Sequence, residues 1–326
     1  MKCVSCFLPI TNKKSHCSLC NGTLHKDCAI KENDTIYCDV CYTVKREEQP
    51  TIAIPDVIRR SHIELYKMCP FKFYQEVLNN NPQPTNIYAQ LGIDLHTLFD
   101  KASQDKQFTY PQMSEAYVKI FDKYEPELFT EVSQKKMFLR GQNCIESFYN
   151  ILPHLPATPH ATEETIQFSI GEDLPIVQTT SDRVDLVDGK LEVLDWKTGK
   201  VMVGKKISSD LQAPLYIYGI RNKYKMPIRK FTFYYLDENK IRVFNQINND
   251  EYECCVRKRS YYINIMDAIR EVKSIFSHIK KGNFNVPRNI KDMYFYCKYC
   301  HIREQKICEG ADLQGWKQYN KKEGVW

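Results

Sequence analysis

No stretch of the sequence runs to 18 apolar residues, and no apolar h-region stands near its start. Nothing in it therefore reads as a membrane-spanning helix or a secretory signal. Internal repeats and low-complexity tracts are absent as well, so neither a solenoid nor a biased tail is expected. Charge imbalance is small: 46 basic and 40 acidic residues leave a formal net charge of +6. That permits a polyanionic partner without proving one. A complete phosphate-binding loop is missing too. Gly199 to Lys205 follows most of the Walker A spacing, but Lys206 stands where a hydroxyl must hold Mg2+. ATP hydrolysis is not expected, and any helicase acting alongside would be a separate protein.

What is present is the composition of a globular protein, with 43% apolar and 26% charged residues. The 326 residues suffice for one large domain and a small one. Fourteen cysteines stand out, seven of them before residue 42 and three between 297 and 308. C-x2-C pairs recur at Cys3/Cys6, Cys17/Cys20, Cys38/Cys41 and Cys297/Cys300. Such pairs suit metal knuckles better than disulfides, and the lack of an export signal favours a reducing compartment.

Residues 1–46 form a Cys-rich module with little periodic apolar pattern, and the mixed-charge stretch with two prolines at 43–56 reads as a linker. A larger domain is expected over 57–326. Helices are expected from Ser61, over about 88–102 and across 112–150. Strands follow at 165–170, 179–186 and 191–196, the last two joined through Asp188-Gly189, a hairpin signal. A helix at about 211–222, strands at 229–236 and 240–246, and a long helix over about 250–280 complete the pattern.

In the first module the ligand order is Cys3, Cys6, Cys17, Cys20, His25, Cys28, Cys38, Cys41. Eight ligands serve two tetrahedral zinc ions, with His16 a possible substitute, and metal would supply much of the folding energy. The order resembles cross-braced PHD- or RING-type fingers. That resemblance implies interleaved pairing: Cys3, Cys6, His25 and Cys28 on one zinc, and Cys17, Cys20, Cys38 and Cys41 on the other. Such fingers bind proteins, modified peptides or nucleic acid, or serve stability alone.

The larger domain carries the chemistry. Asp182 and Asp195 lie thirteen residues apart on two strands of one hairpin, and Lys197 follows Asp195 on the same face. Two carboxylates at adjacent strand ends can hold a divalent cation, with an ammonium beside it. A surface ion pair is the bland alternative. The run SDRVDLVDGKLEVLDWKTGK resembles the core of PD-(D/E)XK nucleases of the RecB-like, iron–sulfur exonuclease group. Upstream GIDLH, with Gly92 and His96, and downstream QAPLY, with Gln212 and Tyr216, fit the same pattern. The resemblance covers about 60–310. It implies an α/β fold with a restriction-endonuclease-like core, a central mixed sheet flanked by helices.

By that resemblance, His96, Asp182 and Asp195 bind Mg2+ or Mn2+, with the Trp196 carbonyl a further candidate. Lys197 is the catalytic lysine. Gln212 and Tyr216 contact the DNA backbone or position the lysine. Glu163 and Glu164, just before a strand, could add a carboxylate, and Asp185 is the rival to Asp182. Cys69, Cys297, Cys300 and Cys308 resemble the split cysteine set that holds a [4Fe–4S] cluster in such nucleases. Seven residues separate Cys300 from Cys308 where the family more often has five, which leaves zinc as the alternative. Cys144, Cys254 and Cys255 fall outside any ligand spacing.

The expected function is a metal-dependent DNA exonuclease acting on single-stranded or unwound ends in recombination, repair or replication. The alternative is a non-catalytic zinc adaptor that keeps the fold to bind DNA. The expected partners are DNA, with a separate helicase, recombination protein or finger-bound peptide, and no membrane. Cytoplasm (a host's, for a viral source) or nucleus is the expected location. Basic residues around 197–206 and 221–230 could follow phosphates, and the aromatics at 233–235 and 294–296 could stack on bases. A solvated face and core packing are the competing uses.

Overall fold

The computed structural model describes residues 2–5, 9–10, 14–18, 20–32, 35–39, 41–42, 53–129, 132–286, 297 and 300–308. Cys6, most of the 43–56 linker and the aromatics at 294–296 lie outside these residues. The chain divides into two compact units. One comprises Met1–Pro84, Gly171–Pro175 and Glu271–Trp326, and the other Thr85–Ile170 and Ile176–Arg270. Among the described residues no helix is long and apolar enough to cross a membrane.

The first unit begins with two three-residue hairpins. Strand β1 (Lys14–His16) pairs with β2 (Thr23–His25), and β3 (Ile30–Glu32) with β4 (Thr35–Tyr37). Their shared core is Leu24 among Cys3, Cys17 and Cys38. With Val4, Ile10 and Ile36 only partly buried around it, this core is small among the described residues, and bound metal would supply much of the folding energy. Past the linker come β5 (Val57–Arg59) and helix α1 (Arg60–Met68), which buries Ile63 and Tyr66. Tyr66, Phe73, Tyr74 and Phe284 form an aromatic cluster with ring centroids 5.0–6.5 Å apart. The Tyr66 hydroxyl donates to the Asn283 carbonyl at 2.7 Å.

The second unit opens with three helices, α2 (Ile87–Gln104), α3 (Tyr110–Phe121) and α4 (Gln134–Ile151). Each start is written locally. Asn86 Oδ1 accepts from the Ala89 amide, Thr109 and Gln112 form a capping box, and Ser133 Oγ accepts from the Lys136 amide. Leu91, Leu95, Leu98, Phe99 and Ala102 bury one stripe of α2 against Met113, Tyr117 and Phe121 and against Met137, Ile145 and Phe148. A Cβ on Gly141 would stand 2.1 Å from the Tyr117 hydroxyl, so this glycine lets the ring lie against the α4 backbone.

A mixed sheet follows. Its strands in this unit are β6 (Ala161–Phe168), β7 (Ile176–Val187), β8 (Lys190–Lys197), β9 (Ile228–Tyr235), β10 (Lys240–Gln246), β11 (Glu251–Val256) and β12 (Arg259–Asn264), hydrogen-bonded in that order. All neighbours are antiparallel except β8 and β9. Their parallel pairing needs a crossover, supplied by α5 (Gln212–Tyr224). Leu194, Trp196 and Leu236 join the core of α2–α4 on one face, while α5 packs on β6, β7 and β9. Helix α6 (Ile265–Lys280) ends the pattern.

The long helix expected over 250–280 is therefore wrong in its first half, which is the β11–β12 hairpin. Its turn residues Arg257 and Lys258 both have positive φ, 49° and 66°. That is the backbone of a tight primed turn, built without the Asn or Gly that normally announces one. The 233–235 aromatics are core and near-core residues, with Phe233 and Tyr235 buried.

Candidate active site

The β7–β8 hairpin sets the site's spacing. Asp188 and Gly189 adopt φ of 51° and 72° in the turn, and the ladder pairs Arg183 with Leu194. One step further along that register Asp182 faces Asp195. Residues directly opposite in an antiparallel pair share a face, so two buried carboxylates meet at the end of the hairpin. The Trp196 amide donates to Asp182 Oδ2 at 2.5 Å and fixes that side chain. Asp185, on the other face of β7, is held by Arg183 through Nε contacts of 3.0 Å to both carboxylate oxygens. That pair is fully buried and takes Asp185 out of the site.

Two more groups converge on Asp182. His96, on α2, brings Nδ1 to 3.3 Å from Asp182 Oδ1 and 3.9 Å from Glu163 Oε1. The potential ligand atoms of His96, Glu163 and Asp182 all lie within 4.8 Å of one another. Gly92 stands one turn before His96, and its missing side chain leaves space beside Thr198. Glu163 has φ of 45°, a left-handed conformation inside a strand. Strained non-glycine backbone of this kind collects at functional sites. The sequence placed Glu163 only loosely, because a carboxylate next to another before a strand shows nothing of that bend.

On the hairpin's other side, Lys197 Nζ lies 2.6 Å from Asp195 Oδ2 and donates to Gln212 Oε1 at 2.8 Å. Gln212 Nε2 donates to Asp195 Oδ1 at 2.5 Å and to the Tyr216 hydroxyl at 3.0 Å. These partners orient the Gln212 amide, since the reverse would aim its NH2 at an ammonium. The ammonium also stands 5.2 Å from the centre of the Phe233 ring. At the end of β8, Arg140 Nε donates to the Thr198 carbonyl at 3.1 Å and lies 3.4 Å from Asp237.

So many carboxylates in one place disturb their own ionisation. Burial pushes the Asp195 carboxyl up to about 6; Lys197 opposes this and Asp182 adds to it. Burial and the charge of Asp182 raise Glu163 to about 7. For His96, burial acts downward, but Asp182 outweighs it and the imidazole reaches about 9. Two carboxylates and an imidazole are a donor set that Mg2+ or Mn2+ accepts, so these residues fit such an ion.

The chain belongs to the PD-(D/E)XK nuclease superfamily, whose model matches residues 60–309. No curated protein matches it. Among solved structures, the crystal structure of SSO0001 is similar at 14% identity, covering 83% of this chain and 94% of that one with a TM-score of 0.34.

The first unit holds the thiols. The Sγ atoms of Cys17, Cys20, Cys38 and Cys41 lie within 4.8 Å of one another, and Cys20 and Cys38 are 3.8 Å apart. That distance is the edge of a tetrahedron whose corners stand at the Zn–S length of about 2.3 Å from its centre. This cluster fits a zinc finger. Burial raises the Cys41 thiol to about 11 when it carries no ion. Cys3, His25 and Cys28 form a second group. There Cys28 Sγ is 3.9 Å from His25 Nδ1, while Nε2 is 3.0 Å from the Pro9 carbonyl, which leaves Nδ1 as the ligand nitrogen. His16 is exposed on β1 and belongs to neither group.

Cys69, Cys297, Cys300 and Cys308 are not drawn together this tightly; they form no such group among the described residues. They are nonetheless near enough to act on one another. Burial is the main cause that lifts the Cys69 thiol to about 12, and the other three cysteines add to it. The basic residues at 221–230 are mostly engaged: Arg221 with Asp250, Lys223 with Glu164, and Arg229 and Lys230 with Glu192.

Proposed function

We propose that the chain is a metal-dependent deoxyribonuclease, an exonuclease acting on single-stranded or unwound ends in recombination, repair or replication. The observation that carries this reading is the convergence of His96, Glu163 and Asp182 beside the Asp195–Lys197–Gln212 relay. His96, Asp182 and Glu163 would hold Mg2+ or Mn2+, while Asp195, expected from the sequence as a ligand, lies outside that group and faces Lys197 and Gln212. When bound, such an ion polarises the phosphodiester and acidifies a water ligand. Lys197 would present its ammonium to the phosphate. Gln212 holds the lysine from one side and Tyr216 holds Gln212, so both are positioning residues rather than DNA contacts. The finger carries two zinc ions and serves recruitment or stability.

The split cysteines hold a [4Fe–4S] cluster in this reading. Four thiolates around one zinc crowd to about 3.8 Å, whereas a cluster places iron and sulfide between its ligands. The looser set of Cys69, Cys297, Cys300 and Cys308 favours the cluster. Anaerobically purified protein is then brown and contains sulfide; colourless protein holding zinc alone overturns this assignment.

The activity is tested with end-labelled linear and circular single-stranded DNA in Mn2+. Linear DNA is expected to be shortened from an end and circles to survive. Asp195→Ala and Lys197→Ala are expected to lose about 100- to 1000-fold in rate, the scale of removing one preorganised electrostatic group. Intact DNA across metals and substrates sinks the nuclease reading, and cut circles sink the exonuclease part of it.

A further inference from the structure

Two open grooves in the second unit share one residue, Tyr88. One, of about 620 Å3, runs past Gly92, Thr198, His96 and Glu163. The other, of about 740 Å3, is lined by Lys135, Lys136, Arg140, Lys200 and Asp237. Charge changes sign along this path. The first groove is lined by the carboxylates of Asp100 and Glu163 beside His96, and the second sets four cations against one carboxylate.

The cations differ in their freedom. Arg140 is tied to Thr198 and Asp237. Lys135, Lys136 and Lys200 are exposed and form no ion pair among the described residues. At the junction the Tyr88 ring is 45% exposed. The Arg140 guanidinium stands over it at 5.5 Å from the centroid, which backs one ring face and leaves another for a second planar group.

We propose that this path holds a single strand of DNA, with an unpaired base stacked on Tyr88 and the phosphates beyond it on Lys135, Lys136 and Lys200. Cations spaced along a groove match a phosphodiester backbone, and an exposed ring matches a base face. Duplex DNA offers no free base face to such a ring, so Tyr88 selects unpaired strand. Gly92 keeps the wall between ring and metal site low, so a strand stacked on Tyr88 runs on toward His96 and Asp182. This rests on the nuclease reading and adds the residues that select its single-stranded substrate.

The test is fluorescence anisotropy with a labelled oligothymidine of about 20 nucleotides, in Mn2+, with the full chain carrying Asp195→Asn so that the strand stays intact. Adding Tyr88→Ala is expected to weaken single-strand binding about tenfold, the scale of one lost base stack. Tyr88→Phe is expected to retain affinity, and binding of the matching duplex to stay unchanged. Replacing Lys135, Lys136 and Lys200 by alanine is expected to lower the slope of log affinity against log salt by about 2. Unchanged single-strand affinity in Tyr88→Ala, equal loss on duplex, or tighter binding of the corresponding RNA overturns the proposal. Cleavage by the chain without these changes is measured separately. Its absence sinks the nuclease reading, whereas normal cleavage with flat binding results sinks the groove alone.

Discussion

The thiol clusters of the N-terminal module and the carboxylate site of the second unit both invite a metal, but they stand on different foundations. Around the thiols Leu24 is the one fully buried aliphatic among the described residues, with Val4, Ile10 and Ile36 partly buried beside it. The carboxylates sit on a sheet and three helices whose core holds Leu91, Leu95, Phe99, Phe148 and Trp196. In the first place an ion would have to supply much of the folding energy; in the second the fold exists beforehand and holds charges that repel one another. Ligand number fits this difference. Cys17, Cys20, Cys38 and Cys41 offer four ligand atoms, enough to enclose a zinc ion, whereas His96, Glu163 and Asp182 offer three and would leave room for water and substrate.

The largest expected effect strikes the module. Stripping zinc, or Cys38→Ser, should unfold residues 1–42, because structural zinc contributes about 10–16 kcal/mol in small fingers. Hydrogen exchange is expected to show full loss of protection there while α2–α4 keep theirs. Protection that survives chelation in the module would break the contrast. Next in size, Lys197→Ala should abolish cleavage at the scale given above and leave thermal unfolding within about 1 kcal/mol of wild type. A comparable loss of stability would mean that the ion-pair relay supports the fold as well.

Acid sharpens the contrast within the first unit. Burial lowers the His278 imidazole to about 4, with Lys281 adding to this. Above pH 6.5 the residue is neutral folded or unfolded and has no effect. Below it the unfolded chain takes a proton that the folded chain refuses, so stability falls until pH reaches about 4. His278→Leu should remove about 2 kcal/mol of acid sensitivity between pH 7 and 4.5, read from urea midpoints. If acid loss of stability tracked zinc release alone, the variant would behave as wild type. The smallest effect is at Glu163. Glu163→Gly should raise stability by about 1 kcal/mol by relieving the left-handed backbone, while cutting metal-dependent cleavage. Falling stability would show that the bend is unstrained.

The sequence made the two hairpins unequally readable, although both turn on two residues of positive φ. Asp188-Gly189 declares its turn, and β7, β8 and the facing aspartates follow from it. Arg257-Lys258 has no such signature, so β11 and β12 merge into the helix behind them. The order of His96, Asp182, Asp195, Lys197, Gln212 and Tyr216 was legible through the resemblance to PD-(D/E)XK nucleases, while period alone gave the shared faces of Asp195 with Lys197 and of Gln212 with Tyr216. Glu163 reaches His96 through a bent backbone, which no periodicity encodes. Tyr88, Lys135 and Lys200 meet only after α2, α4 and the end of β8 are assembled. In the basic run at 221–230, Arg221, Lys223, Arg229 and Lys230 meet carboxylates distant in sequence, which the run itself does not announce.

The hairpin between Asp182 and Asp195 also acts as a ruler for descent. Adding one residue to either strand shifts the pairing and turns a carboxylate to the wrong face of the sheet. Adding one to each restores opposition but carries both acids a step away from His96. Loops elsewhere in the chain can lengthen one residue at a time, yet this segment can change length only by moves that disarm the site. Among relatives that still cut, the thirteen-residue interval should therefore drift more slowly than the residues that fill it.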